Sequence, residues 1–534
     1  MSNAHHVESG KLPDHASDDY TIDHTQQRRH TASVKDQLAT WHANRGNKSF
    51  LRAMIPSPVR EKVPGELEVP KNPITLFRMV SPFAWLMFFS GWLAWTIDGY
   101  DFFCVSLTLD ALAEQFEVKP KAITTAITLT LLFRSLGAVI FGILSDRFGR
   151  KWPLVTVMLL IMALELGSGF CNTYKEFLAV RSLFGVCMGG VWGAASQTAL
   201  ENVPVAARGL LSGIMQQGYA VGYLLAAVIN LTVVQYTKPH WRTIYFFGAG
   251  FSFLAAAVRA FLPESEQFII AREEAKASGR TGKETSKAFL RELGAMFRTN
   301  WVRWIWAVCF MTFFNFFSHG SQDLYPTYLK TTKHLTAKQA SKATIIANCG
   351  AIAGGSIAGY ASQYVGRRFA ILVCAFWTAA FLPLWILPNT FGGLAAGGFF
   401  VQAGVQGAWG VVPIFLAEVS PPAFRALFAG LAYQLGNMAS SGAAQIEADA
   451  GESLKLNGTD TPDYAAITGI LLGAVIAWGI ITTICAPEAD GSHFEQAKTA
   501  TQAGGGQADP TEMFDKPAHE HIEKAEAPTH AELR

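Results

Sequence analysis

Residues 142–151 read Gly-Ile-Leu-Ser-Asp-Arg-Phe-Gly-Arg-Lys, and residues 359–368 read Gly-Tyr-Ala-Ser-Gln-Tyr-Val-Gly-Arg-Arg. Both stretches begin with glycine, have a second glycine seven residues later and end on two basic residues, at an offset of 217 residues (142 to 359). Two further patterns recur at this offset: Glu201-x-x-Pro204-x-x-x-Arg208 returns as Glu418-x-x-Pro421-x-x-x-Arg425, and Gly190-x-Trp192-Gly193 returns as Gly407-x-Trp409-Gly410. Three patterns at one spacing indicate two homologous halves.

The composition is typical of a membrane protein. Half of the 534 residues are hydrophobic and only 16% are charged, an apolar surplus that one soluble core does not accommodate. Windows of roughly 20 apolar residues, the length that crosses the hydrocarbon layer, recur between residues 83 and 486. We therefore expect membrane lipid as the surroundings. The formal net charge of +2 lies in short loops, which indicates no nucleic-acid partner.

The apolar windows predict an all-α polytopic membrane protein with twelve transmembrane helices. The predicted helices cover 83–106, 120–143, 152–172, 175–200, 208–234, 242–262, 301–325, 342–364, 369–388, 393–417, 423–446 and 464–486. They form two pseudo-symmetric six-helix bundles. The predicted domains are an N-terminal tail 1–82, a bundle 83–262, a linker 263–300, a bundle 301–486 and a C-terminal tail 487–534.

The segments outside the bundles are polar. The linker carries seven Lys or Arg residues and is too charged to span. Both tails are rich in polar residues, so we predict disorder, and they are candidate contact regions for regulatory proteins. Glycosylation sequons occur at Asn457, in a predicted outer loop, and at Asn47. The seven cysteines include no CxxC pair, so we expect neither a disulfide framework nor a metal site, and no organic cofactor.

Basic residues predict the orientation. They cluster in the short links after the second, fourth, eighth and tenth helices: Arg147, Arg150, Lys151, Arg208, Arg367, Arg368 and Arg425. The positive-inside rule then places both termini in the cytoplasm. The opposite loops, including 447–463, carry fewer basic residues, with 330–342 as an exception.

The repeated loop is a candidate gate. Glycine lets helices approach closely, and Asp146 can accept hydrogen bonds from a guanidinium or from helix-end N–H groups of the neighbouring bundle. The candidate gating residues are Gly142, Asp146, Arg147, Gly149, Arg150, Gly366 and Arg367. Alternatively, the loop only sets topology through its positive charge. Gln363 and Tyr364 replace the charged pair in the second copy, so we expect a weaker latch there.

Two six-helix halves with this loop resemble the major facilitator superfamily. The resemblance covers about residues 83–486. It implies a central cavity between the halves and alternating access by rocking of one half against the other.

Charged residues inside the first half are candidate functional groups, because a charge at membrane depth is costly. Asp98 and Asp101 are three residues apart and share a helix face. Neighbouring carboxylates resist ionising together, so the pair is a candidate proton site; alternatively both bind helix ends near the outer boundary. Arg134 is a candidate carboxylate clamp because guanidinium binds carboxylate bidentately. Alternatively, Arg134 forms a salt bridge with Asp98 or Glu165.

Two other charged residues are weaker candidates for functional groups. Glu165 is a second candidate proton site, or it simply faces the bundle and pairs. Arg181 lies near the outer end of its helix, and we expect it to extend to the interface.

The seventh helix is the most polar. Asn315, His319 and Gln322 follow an i, i+4, i+7 stripe, with Asp323 one turn beyond His319. An imidazole beside a carboxylate binds and releases protons near neutral pH. Neutral hydrogen-bonding groups suit a hydroxy- or keto-acid; the candidate substrate-binding residues here are Asn315, Ser318, His319, Ser321 and Gln322. Alternatively, these residues hold neighbouring helices together through hydrogen bonds. Pro326 is expected to break the helix.

The pattern Asn-x-x-Ser-His-x-Ser-Gln-Asp-x-x-x-Thr (315–327) resembles the signature of Jen-type lactate/pyruvate:proton symporters of the sialate:proton symporter family. The resemblance implies plasma-membrane uptake of lactate, pyruvate and related short carboxylates such as acetate, with the proton as coupling ion; some relatives prefer malate or succinate. It implies substrate and proton coupling by Asn315, His319 and Asp323, with Gln434 and Asn437 lining the path. The Asp98-Gly-x-Asp101 element is similar to that of organic-anion:proton symporters. The Gln216–Gln217 pair is a candidate selectivity element.

Other functional classes are less well supported. A nutrient sensor would keep the fold and signal through its tails. An efflux antiporter for amphiphilic compounds does not explain the polar seventh helix. An enzyme is disfavoured because the sequence has no nucleophile–base or phosphate-loop pattern, and its Gly-rich runs lie within predicted spanning helices.

Overall fold

The computed structural model describes residues 61–63, 66–67, 70–238, 240–264, 268–269, 273, 282–421, 424–455 and 462–486. Most of the N-terminal tail, the C-terminal tail 487–534, both sequons and much of the linker lie outside the described residues. A short antiparallel ribbon of β1 (Glu61–Val63) and β2 (Glu66–Leu67) precedes the helical body.

The first half consists of helices in the predicted order. They are α1 (Pro73–Arg78), α2 (Pro82–Gln115), α3 (Pro120–Phe148), α4 (Lys151–Phe170), α5 (Tyr174–Met188), α6 (Val191–Leu200), α7 (Arg208–Gln216), α8 (Gly218–Thr232) and α9 (Arg242–Phe261). The predicted fourth and fifth spans are each divided into two helices. The linker contains α10 (Gly282–Thr299).

The second half repeats this arrangement. Its helices are α11 (Trp301–Gln322), α12 (Tyr325–Thr331), α13 (Ala337–Val365), α14 (Arg367–Ile386), α15 (Phe391–Val419), α16 (Arg425–Ser440), α17 (Ala443–Ser453) and α18 (Tyr464–Ile484). Pro326 lies in the first turn of α12, just after α11 ends, as expected for a residue that cannot continue the preceding helix.

Each predicted span corresponds to one helix or to two consecutive helices, so the predicted fold class is confirmed. Within the described residues, nine helical stretches are long and apolar enough to cross a membrane. The first, seventh and eleventh predicted spans, which are α2, α11 and α16, are not among these nine. These three helices carry the polar side chains that converge at the centre of the molecule.

The second glycine of each repeated loop ends a long helix. Gly149 follows α3 with φ 96°, and Gly366 follows α13 with φ 92°. Residues with a side chain rarely adopt this backbone conformation. The repeat therefore conserves a sharp turn at the same place in both halves.

The two halves approach each other through glycines of α7 and α13. A Cβ atom added at Gly213 would lie 2.5 Å from the carbonyl oxygen of Gly355, and one added at Gly359 would lie 2.6 Å from the Cα of Gly213. Backbone meets backbone here, as in other close helix crossings in membranes. A second contact between the halves, α3 against α16, brings Arg134 next to Gln434.

Candidate functional site

Arg134 lies at the contact between the halves and is fully buried. Its Nε donates to Oε1 of Gln434 at 2.9 Å, and its Nη2 donates to Oδ2 of Asp98 at 3.2 Å. Asp98 belongs to the same half as Arg134, whereas Gln434 belongs to the other half. The internal salt bridge to Asp98 is thus present, and the guanidinium also joins the two halves.

The contacts continue from Gln434 into the second half. Oε1 of Gln434 also accepts from Nδ2 of Asn437 at 2.7 Å, and Oδ1 of Asn437 lies 3.1 Å from Nε2 of His319. The Nδ1 atom of His319 lies 3.1 Å from Oδ2 of Asp323. We call this connected set the polar chain: Asp98, Arg134, Gln434, Asn437, His319 and Asp323.

Both ring nitrogens of His319 have an acceptor within hydrogen-bond distance. Nδ1 faces the carboxylate of Asp323, and Nε2 faces the amide oxygen of Asn437. An imidazole ring that meets an acceptor on each side is fully satisfied when both nitrogens carry a proton. His319 and Asp323 therefore form a buried, hydrogen-bonded imidazole–carboxylate pair.

Aromatic rings enclose the Arg134 end of the polar chain. Trp95 stacks on Tyr219 with centroids 4.9 Å apart, and Trp192 packs on Tyr433 at 4.8 Å. The Cζ atom of Arg134 lies 5.6 Å from the centre of the Tyr433 ring. These rings exclude water, which strengthens charge interactions. None of these rings is among the site residues predicted from the sequence, because aromatic residues occur in every span.

A second group of polar side chains lines α11 opposite α15. Ser318 donates to Oε1 of Gln322 at 3.1 Å, and Nε2 of Gln322 donates to Oε1 of Gln402 at 2.7 Å. Gln402 in turn donates to Oγ of Ser321 at 3.0 Å. Gln402 is not among the residues predicted from the sequence; the available signal was two glutamines, Gln402 and Gln406, in an otherwise apolar span.

Three buried polar atoms near Arg134 have no hydrogen-bond partner within the described part of the chain. They are Oδ1 of Asp98, Oδ1 of Asn315 and Nε2 of Gln434. The amide nitrogen of Asn315 donates to the backbone oxygens of Met311 and Tyr433. Because buried polar atoms are normally satisfied, these atoms are available to a ligand.

Asp101 lies in a different cluster from Asp98. Its Oδ2 accepts from Ser252 at 3.1 Å, and its backbone oxygen accepts from Arg181 at 3.3 Å. Arg181 also donates to Glu165 at 2.7 Å. Asp98 and Asp101 therefore have separate hydrogen-bond partners, because Arg134 binds the first and Ser252 binds the second.

The expectation that Arg181 extends to the interface is wrong. Its side chain is fully buried, and so is that of Glu165. Burial of a guanidinium is tolerated when a carboxylate compensates its charge. Glu165 is accordingly a paired residue of the bundle.

The predicted selectivity pair lies beside the polar chain. Oε1 of Gln216 accepts from the indole nitrogen of Trp192 at 3.2 Å. Gln217 donates to the backbone oxygen of Gln406 at 3.2 Å, so it contacts the other half. Gln216 thus positions an aromatic wall, whereas Gln217 belongs to the contact between halves.

The first repeated loop contacts the other half. Oδ2 of Asp146 accepts from the backbone nitrogen of Leu427, in the first turn of α16, at 3.1 Å. A Cβ atom at Gly142 would lie 2.9 Å from Cδ1 of Leu427. We call this side of the molecule the motif end. Asp146 thus has the helix-end donor that the sequence predicts.

Each repeated loop also forms an ion pair inside its own half. Arg150 pairs with Glu201, and Arg367 pairs with Glu418, with Nη2 of Arg367 2.9 Å from Oε1 of Glu418. Arg367 additionally donates to Gln363, which replaces Asp146 in the second copy. Gln363 therefore has a partner within its own half. Arg147 lies against the ring of the adjacent Phe148.

At the end of the molecule opposite the motif end, the structure differs from the sequence-based prediction at residue 447. Glu447 was expected to start an outer loop, but it lies in α17 and is only 2% exposed. The eleventh span continues as a second helix because the Gly442 break is short. At the same end, Lys330 of the second half pairs with Asp110 of the first half, so this basic exception has a local counter-charge.

Comparison with known proteins identifies the family. A family model described as sugar (and other) transporter matches residues 81–501. The chain belongs to this family. The solved structure of the major facilitator superfamily proton:xylose symporter XylE superposes with a TM-score of 0.61 at 17% identity, covering 75% of this chain and 94% of that one. The family and fold predictions are confirmed, and the protein is a membrane transporter rather than an enzyme.

Three sequence relatives are informative. The carboxylic acid transporter protein homolog of Saccharomyces cerevisiae is 35% identical over 432 residues, 78% of this chain and 69% of that protein. The Escherichia coli sialic acid transporter NanX is 27% identical over 368 residues, covering 67% of this chain and 85% of that one. The cis,cis-muconate transport protein of Acinetobacter baylyi is 25% identical over 361 residues, with the same coverages of 67% and 85%. The first of these matches the sequence-based resemblance to Jen-type symporters.

Proposed function

We propose that this transporter imports short monocarboxylates, such as lactate, pyruvate and acetate, together with protons. Import proceeds across the plasma membrane by alternating access, with both termini in the cytoplasm. The observation that carries the proposal is the buried Arg134, held between Asp98 and Gln434 and linked through Asn437 to the His319–Asp323 pair.

The guanidinium of Arg134 has the geometry of a carboxylate clamp. Nε and Nη2 lie on one edge of the group, and a carboxylate binds such an edge through two parallel hydrogen bonds. In this structure the two positions are occupied by oxygens of Gln434 and Asp98. A substrate carboxylate replaces the neutral Gln434 oxygen first, because the amide is the weaker acceptor.

Charge balance links substrate to proton. Arg134 and Asp98 together are neutral, so an incoming anion leaves one negative charge in a buried site. An uncompensated charge in such a site costs several kcal/mol. A proton on Asp98 restores neutrality and also releases Nη2 of Arg134, so that both donors of the edge turn to the substrate. Proton and anion binding therefore favour each other.

The His319–Asp323 pair offers a second proton station. Its connection to Arg134 consists of two amides, Asn437 and Gln434. When the substrate displaces the Gln434 oxygen from Arg134, the amide of Asn437 is free to reorient, and the hydrogen bond at Nε2 of His319 changes. Substrate binding at Arg134 thereby changes the hydrogen bonding of His319 at the other end of the polar chain.

The loaded, neutral site permits rocking of the halves. At the motif end, the bond between Asp146 and Leu427 crosses the interface and has to break. The ion pairs of Arg150 and Arg367 lie within single halves and persist. Each half thus moves as a unit.

The number of available cations favours one carboxylate on the substrate. Arg181 and Arg367 each contact a carboxylate of the protein at 2.7 and 2.9 Å. Arg134 differs from these two in that its Nε donates to a neutral amide of the other half, Gln434. The names of the yeast and Acinetobacter relatives, which refer to carboxylic acid and muconate, support the carboxylate class.

Uptake of labelled lactate by proteoliposomes tests the proposal. Uptake is measured with and without an imposed inward proton gradient, and competed by pyruvate, acetate and malate. We expect accumulation only with the gradient, its collapse on adding a protonophore, and stronger competition by pyruvate than by malate. Stronger competition by malate would favour a dicarboxylate symporter. Absence of gradient-dependent flux for all four acids would remove the proposal and favour a nutrient sensor.

A further inference from the structure

Glu447 is a buried carboxylate that the proposed mechanism does not use. It lies in α17 and is 2% exposed, and its Oε1 atom has no hydrogen-bond partner among the described residues. This oxygen points to α11: a Cβ atom built on Gly320 would lie 3.7 Å from it. Gly320 directly follows His319 in the chain, so Glu447 faces the backbone of the proton-storing segment.

Among the side chains that the structure describes, none supplies a positive charge that compensates Glu447. The titratable groups next to this contact are His319 in α11 and Asp323, which directly follows α11. A negative Asp323 repels a negative Glu447. His319 is already bound by Asp323 and Asn437.

The other helices packed against α17 do not change this balance. The sequence of α18 contains no charged residue; its titratable side chain is Tyr464 at the first position. The sequence of α3 carries Lys121 in its first turn and Arg134 midway, and Arg134 is held by Asp98. A carboxylate that is buried without a cation, beside a second carboxylate, is stable in its protonated form.

We propose that Glu447 is a proton-carrying residue that feeds the His319–Asp323 pair from the opposite end. This inference rests on the proposed proton-coupled function. In the transfer step the O–H bond of Glu447 breaks as its proton passes to an intervening water molecule, and that water gives one of its own protons to form an O–H bond on the carboxylate of Asp323. Glu447 is left as a carboxylate and regains a proton from water at the opposite end, where α17 ends. One proton moves, and no other reactant is required.

The test separates proton coupling from substrate exchange. Purified wild-type and Glu447→Gln proteins are reconstituted, and two quantities are measured: lactate accumulation driven by an inward proton gradient across a series of outer pH values, and lactate counterflow without a gradient. Glutamine keeps the shape of the side chain and removes its exchangeable proton. We expect counterflow to persist while gradient-driven uptake falls by about 100-fold, the usual scale of a lost proton-transfer group.

The matched control is Asp449→Asn, on the exposed side of the same helix, which loses the same charge and keeps the wild-type pH profile. Gradient-driven uptake by Glu447→Gln with the wild-type pH profile would overturn the inference. If the glutamine variant does not fold, Glu447→Asp is used: a displaced pH profile supports the inference and an unchanged one overturns it. Absence of both counterflow and accumulation in the wild-type protein would instead refute the proposed function.

Discussion

Neutralising Asp98 and Arg134 separately and together distinguishes a carboxylate clamp from a purely structural salt bridge. Arg134→Gln leaves Asp98 as a buried carboxylate without its cation. Asp98→Asn leaves Arg134 as a buried guanidinium without its carboxylate. Breaking a buried pair in this way costs about 3–5 kcal/mol of unfolding free energy. The double variant removes both charges, so we expect its stability to return to within about 1 kcal/mol of wild type, as for other neutralised buried pairs.

Substrate binding is expected to follow a different pattern. The Nε–Nη2 edge of Arg134 can give a carboxylate two charged hydrogen bonds, each with a net contribution of about 1.5–3 kcal/mol. Their loss amounts to roughly 3–6 kcal/mol, which is about 100- to 10,000-fold in affinity. The double variant is therefore expected to be folded and unable to bind lactate.

Two measurements on each variant are needed. Unfolding in detergent, followed by tryptophan fluorescence, reports stability, and lactate counterflow in proteoliposomes reports binding and exchange. The matched control is Arg181→Gln with Glu165→Gln, a buried pair outside the polar chain and outside the repeated loops, whose neutralisation is expected to leave lactate affinity unchanged. Counterflow by the Asp98/Arg134 double variant above about a tenth of the wild-type rate would mean that Arg134 is only structural, because that loss is less than one charged hydrogen bond.

Three other changes have defined outcomes. Asp146→Ala removes the charge-assisted hydrogen bond to Leu427 across the motif end. We expect the conformational equilibrium to shift by about 10- to 100-fold towards the state open at that end. Labelling of a cysteine introduced at the motif end measures this shift, and unchanged labelling would refute the role of Asp146 as a latch. Gln402→Ala removes the 2.7 Å bond from Gln322 and is expected to raise the KM for lactate about tenfold with little change in kcat; a change in kcat alone would contradict a substrate-positioning role. Gly149→Ala forces a side chain into a backbone with φ 96° and is expected to cost about 1–3 kcal/mol, seen as a lower unfolding temperature.

Much of the fold follows from apolar run length and the internal repeat. A span of fixed minimum length, bounded by polar links, leaves little freedom in where a helix lies, and all twelve predicted spans are helical. The breaks at Gly189–Gly190 and at Gln217 were not predicted, because both interrupt segments that are long and predominantly apolar. Likewise, Glu447 follows the predicted end of a span and was therefore assigned to a loop.

The candidate site was only partly predictable. Position along a helix identifies which residues lie at membrane depth, and this was sufficient to single out Arg134 and His319. It does not tell which neighbour each side chain meets: Asp98 and Asp101 share a sequence motif but have different partners. The partners come from other helices up to 300 residues away, and their pairing depends on how the two bundles pack.

The self-contained ion pairs of the two halves also bear on how such a protein can evolve. Each copy of the ancestral unit braces its own loop, through Arg150–Glu201 and Arg367–Glu418, so duplication does not require new contacts for either copy to remain folded. Residues in the middle of the spans are then free to diverge. The position that corresponds to Arg134 at the 217-residue offset is Ala351. The first half thus carries the buried arginine, and the second half carries the buried histidine.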